Sequence, residues 1–195
     1  MVSTTEESLA TIHMTGSDPN TLLVELFLSN GRVQGLTHEV RERRRLVDVL
    51  SESGTALRLE SAKVLLGASI TTREYPSLNV EKRAILAAIP HETQQQQRQR
   101  TMLTTTVGKS ATYALTATLL LPPFIAEGSV HVPQSVGNIG SKLTADTQIF
   151  GRFISVTGAK LVLPGGAEIE TPVLLVNRDL IAGISVVEER RSSIL

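Results

Sequence analysis

The sequence predicts a mainly β protein: two tandem small β-barrel or sandwich domains related by internal duplication, with a short helix in the first copy. Three observations predict it. The chain matches itself at a nearly constant shift. Short apolar and β-branched runs recur between turn signals every 8–12 residues or so. The helical spacing at Leu46, Val49 and Leu50 lasts only a turn or two.

At a shift of 97, "TLLVELFLSNGRV" (21–33) falls on "TLLLPPFIAEGSV" (118–130), and "SAKVLL" (61–66) on "GAKLVL" (158–163). Residues 21–66 then show eleven identities over forty-six ungapped positions. Chance gives about three, at roughly 6% per position from ordinary residue usage. A shift of 96 brings Glu74, Pro76, Val80 and Ile85 onto Glu170, Pro172, Val176 and Ile181. The reading divides the chain into an N-terminal tail (1–20), a first β domain (21–90), a Gln/Thr-rich linker (91–112), a second β domain (113–187) and a C-terminal tail (188–195).

The first element is a hairpin. Asn30-Gly31 between apolar runs suits a type I′ turn, whose two central positions need positive φ. The 97-residue shift puts Glu127-Gly128 at the matching turn. A short helix follows at "RERRRLVDVLSESG" (41–54), with Gly54 as its stop. "TALRLESAKVLLG" (55–67) alternates as one bent strand or two short ones. "SLNVEKRAILAAI" (77–89) makes two strands around a charged turn at Glu81-Lys82-Arg83. "PGGAE" (164–168) is a hairpin turn. Pro76 and Pro172 suit strand starts on an edge.

Composition narrows the function. Nineteen acidic and nineteen basic residues leave no net field toward nucleic acid or anionic lipid. The absence of cysteine removes disulfides, thiolate metal sites and cysteine nucleophiles. The start of the chain carries two Glu where a signal peptide wants Lys or Arg. "YALTATLLLPPFI" (113–125) is too short for a membrane span and is broken by Pro122 and Pro123. A soluble cytoplasmic protein is the expectation.

Two family resemblances follow. "LVNRDLIAGI" (175–184), closing a hairpin, a turn-rich middle and a strand, loosely resembles the end of an Sm-like small barrel; there an Arg-Gly-type turn precedes the last strand, and Asp179 stands where the Gly belongs. That resemblance implies RNA binding. Arg45, Leu46, Asp48 and Leu50 are similar to the Arg-Leu-x-Asp-x-Leu stretch of an uncharacterised bacterial small β domain, which implies the fold and says little about activity.

The sharpest candidate site is the arginine cluster Arg41, Arg43, Arg44 and Arg45. Guanidinium forks bind phosphate oxygens bidentately. The competing reading is a solvated helix face with Glu39, Glu42 and Asp48 as counter-charges, and balanced charge with few aromatics favours it. His13, His38, His91 and His131 lack metal-ligand spacing. The Gly-x-x-Gly in "SVGNIGSKL" (135–143) is too short for a phosphate loop. Glu74 and Glu170, the acids kept in register by the duplication, read as edge-strand charges rather than a catalytic pair. The expected protein is thus a non-catalytic protein-interaction or assembly module, with a protein partner or self-association. No cofactor and no metal are implied. The alternative is an Sm-like nucleic-acid-binding protein using the arginine cluster.

Overall fold

The computed structural model describes residues 21–40, 45–67, 72–92, 112–133 and 151–187. The first half forms β1 (Leu22–Leu28), β2 (Gly31–Thr37), helix α1 (Leu46–Ser51), β3 (Ala56–Leu66), β4 (Thr72–Glu81) and β5 (Ile85–His91). The second forms β6 (Thr112–Leu121), β7 (Phe124–Pro133), β8 (Phe153–Val162), β9 (Glu168–Asn177) and β10 (Gly183–Val187). Short 3-10 turns at Lys82–Ala84 and Arg178–Leu180 precede the last strand of each half. The first of these is the charged turn expected from Glu81-Lys82-Arg83.

All ten strands join one antiparallel sheet in the order β10-β6-β7-β8-β9-β5-β1-β2-β3-β4. The sheet is not closed; β10 and β4 are its two ends. Instead of two separate barrels or sandwiches, the halves share a sheet because β9 pairs with β5. Within each half the order is the same: β5-β1-β2-β3-β4 and β10-β6-β7-β8-β9.

Both halves bend at one device. Between the pairs Gln34–Lys63 and Leu36–Glu60, β3 carries one residue more than β2. Ser61 takes that bulge with φ of 50°. Between Glu127–Lys160 and Ser129–Thr157, β8 does the same, with Gly158 at φ of 55°. Gly35 and Gly128 lie opposite the bulges. A Cβ on Gly128 would come within 2.7 Å of Val156 Cγ1 and 3.0 Å of the Thr157 carbonyl oxygen, so the neighbouring strand closes over a bare backbone. Pro76 and Pro172 face the bulges from β4 and β9, in mid-strand rather than at strand starts.

The hairpin departs from the sequence expectation. Leu28 pairs with Gly31, and Leu121 with Phe124. The turns are therefore Ser29-Asn30 and Pro122-Pro123, the latter with a cis bond. Neither Ser29 nor Asn30 has positive φ, so the turn is not type I′. Gly31 is needed for space: its Cβ would lie 2.6 Å from the Leu65 carbonyl oxygen. Matching turn to turn, the two hairpins correspond at a shift of 93, not 97, and Gly128 sits inside β7 opposite the bulge.

Two apolar cores result. One gathers Leu22, Val24 and Leu26 of β1, Leu46, Val49 and Leu50 of α1, and Leu57, Leu59 and Val80. The second half adds Phe153 and Leu175 to it. The other core contains Leu119, Leu121, Phe124, Val156, Leu161 and Leu174 of the second half, and also Phe27, Leu86 and Ile89 of the first. Burying Phe153 or Leu175 contributes about 1.5–3 kcal/mol each. Phe27 and Phe124 meet edge to face at 5.8 Å between ring centres.

Helix α1 buries the three residues its spacing selected. It ends at Ser51, where Glu52 turns extended, three residues before Gly54. Lys82 lies buried beneath it and donates from Nζ to the Val49 carbonyl oxygen at 2.5 Å. A Cβ on Gly54 would sit 3.2 Å from that Nζ, so this glycine makes room for a buried cation. Among the described residues no helix is long and apolar enough to cross a membrane.

Candidate functional site

The chemistry-bearing surface of a sheet is its edge, where backbone N–H and C=O groups lack a neighbouring strand. Here the edges are β4 and β10. Thr72–Ser77 of β4 are exposed, with Lys63 on the adjoining strand 3.5 Å from Glu74. On the β10 side, Gly183 pairs with Leu120, which in turn pairs with Ile125. Leu120 is 44% exposed and Ile125 38%, a small apolar patch beside an open edge.

The interior joint shows what such edges look like when covered. Ala87 and Ala88 of β5 pair with Val176 and Leu175 of β9. Asn177, fully buried, donates from Nδ2 to the Ile85 carbonyl oxygen at 2.9 Å. The Phe153 amide donates to Ser51 Oγ at 3.2 Å. The ladder spans two residue pairs.

Of the arginine cluster, Arg45 is the described member; Arg41, Arg43 and Arg44 lie outside the described residues. Arg45 caps α1 with its guanidinium forked onto Asp48, Nε to Oδ2 at 3.0 Å and Nη2 to Oδ1 at 2.9 Å. Its backbone amide also donates to Asp48 Oδ2. This pairing holds Arg45 above the ordinary arginine range, the hydrogen bond to Asp48 being the main cause. Its fork is therefore engaged by Asp48.

The three described histidines do not converge. His38 bridges Thr21 Oγ1 at 3.0 Å and Glu60 Oε2 at 3.1 Å. His131 faces Thr157 Oγ1 at 3.0 Å. His91 lies 3.4 Å from Glu25, a buried carboxylate that also pairs with Arg32. Arg32 in turn stacks over the Phe27 ring at 5.6 Å. Burial, with the Arg32 charge second, holds His91 below its usual range. Among the described residues no group of His, Asp or Glu could hold a metal ion. His13 and the Gly-x-x-Gly stretch lie outside the described residues.

A surface cleft of about 650 Å³ lies over the bulge of the second half, lined by Gly128, Gly158, Lys160, Glu170, Thr171 and Pro172 among others. Lys160 binds Glu168 at 2.8 Å, which holds it above the ordinary lysine range. A protonated lysine so engaged is no nucleophile. Glu74 and Glu170 lie in different halves, each opposite a lysine, Lys63 and Lys160, in the strand ladder.

No family model, curated protein or solved structure matches this chain. The two apolar residues at the open end, Leu120 and Ile125, escaped sequence reasoning. Their run, "TLLLPPFI", has the composition of a core strand, and only the placement of its turn reveals which leucine faces out.

Proposed function

We propose that the protein is a non-catalytic interaction or assembly module that engages a protein partner through its sheet edges. The observation that carries this reading is the end of the sheet formed by β10, β6 and β7, where Leu120 and Ile125 stand exposed beside the edge strand β10 among the described residues. An incoming strand gains backbone hydrogen bonds from the edge and apolar contact from the patch, the two ingredients of β-addition.

We read the halves as two copies of one ancestral small β domain, joined so that each contributes side chains to both cores. Equal strand order, equal bulges at Ser61 and Gly158, and equal turns before the last strand support that reading. The loose Sm-like resemblance gains from the turn at Arg178–Leu180, which leads into the final strand β10 as that family's closing motif does. The nucleic-acid reading has less behind it. Its one described arginine is committed to Asp48, and the chain carries no net charge.

Photo-cross-linking in cells tests the module reading. A photoreactive residue at Leu120 is expected to give protein adducts that the same residue in the Gly165-Gly166 turn does not. No adduct from Leu120, or equal labelling from both positions, overturns it.

A further inference from the structure

We infer that the partner is a second copy of this chain, docked head to tail with its β4 edge on the first copy's β10 edge. The inference rests on the interaction-module reading and names the occupant of that same site. It comes from the way the joint within the chain uses its strands. Each half has two unlike edges, the β4 type and the β5 type. The second half spends its β4-type edge, β9, on the first half's β5. What remains at the ends is one edge of each type, β4 and β10. Among the described residues the two end strands are counterparts of the two joined ones.

The apolar surface follows the same logic. Phe27 pairs with Ala87 in the first half as Leu120 pairs with Gly183 in the second. Phe27 is 1% exposed because the second half lies over it, with Phe124 against its ring. Leu120 stands in the same position with nothing over it among the described residues, and is 44% exposed. The surface that the second half covers inside the chain has its counterpart at the far end, where no described residue lies over it.

The 96-residue correspondence carries the register across. Val176–Ala87 and Leu175–Ala88 become Val80 opposite Gly183, and Asn79 opposite Ile184, of the neighbouring chain. The approaching face is the less apolar one. Asn79 and Ala56 stand where the inner joint has Leu175 and Phe153, and Gly31 stands where it has Phe124, so less apolar area is buried and the contact is the weaker, reversible one. Because the two edges are unlike, the contact is heterologous. Successive chains add in one direction, giving a ring if the rotation closes and a filament if it does not.

The chain has no cysteine, which makes the register directly testable. Full-length Asn79→Cys protein is mixed with Ile184→Cys protein and mildly oxidised. The expected product is a disulfide-linked heterodimer in at least tenfold excess over the product of Asn79→Cys mixed with Ser77→Cys protein. The Asn79→Cys, Ile184→Cys double variant is expected to give a ladder of covalent oligomers. Analytical ultracentrifugation of the unmodified chain supplies a readout free of substitutions, with Leu120→Lys weakening association at least tenfold and Asn79→Leu tightening it about tenfold. Circular dichroism checks that each variant is folded. A monomer at all concentrations, or cross-linking without preference for the register, overturns the second-copy proposal. If that monomer still gives Leu120 adducts with another protein in cells, the module reading survives and its partner is a different chain; if it gives none, both fail.

Discussion

Asn177 donates its side-chain amide to the carbonyl oxygen of Ile85, 92 positions earlier, and both residues are buried. Its Oδ1 also accepts from the Asp179 amide at 3.1 Å. One side chain therefore ties the turn before β10 to the start of β5 across the joint. Asn177→Ala leaves the Ile85 carbonyl without this donor in a site closed to water. A loss of about 1–3 kcal/mol is expected, read as a lower denaturant midpoint with an unchanged slope.

Ser61 and Gly158 occupy the same bulge position with nearly the same left-handed φ. A side chain there costs about 1–2 kcal/mol relative to a conformation open to L-residues, and glycine escapes that cost. Ser61→Gly is expected to stabilise the protein and Gly158→Ser to destabilise it, each by about 1 kcal/mol. A Cβ on Gly158 would meet nothing within 4 Å, so the effect isolates backbone conformation from packing. Paired urea titrations check the opposite signs.

Lys82 places its ammonium against the Val49 carbonyl oxygen of α1, in a pocket opened by Gly54. Lys82→Met keeps the stem and removes the donor. The carbonyl then loses a charged partner, and a destabilisation of about 1–3 kcal/mol is expected. Hydrogen exchange is expected to rise most in α1, because that helix is six residues long and depends on its contacts for order.

His91 links stability to pH. Its folded value lies below the ordinary 6.5, first because of burial and then because of Arg32. Glu25 lies 3.4 Å from its Nε2. The unfolded chain thus takes up this proton at higher pH than the folded one. Stability is expected to fall as pH drops from the ordinary value toward the depressed one, and to level off below it. His91→Gln is expected to flatten that slope in denaturation curves taken between pH 7 and 5.

Much of the strand pattern was legible, because alternation, the Glu81-Lys82-Arg83 turn and the Pro-Gly-Gly turn are local signals. The face of α1 was legible for the same reason. The hairpin register was not. Leucines crowd "LTATLLL", so Leu22, Leu26 and Leu28 find leucine partners at a shift of 93, while Leu22 and Leu23 find them at 97. A matched Gly31 and Gly128 tilted the comparison toward 97, whereas the two turns align at 93. Gly31 is held by a close carbonyl and Gly128 by a bulge, two different demands that look alike in a sequence. The joint between β5 and β9 was hidden too. It depends on Phe153 and Leu175 filling a core built about a hundred positions upstream, and no local pattern reports that.

Because β1 sends Leu22, Val24 and Leu26 into one core and Phe27 into the other, neither core can melt while its companion keeps a full complement of side chains. Heat should therefore unfold the chain in one cooperative transition, with calorimetric and van't Hoff enthalpies in agreement. Two resolved endotherms would mean that the halves come apart independently.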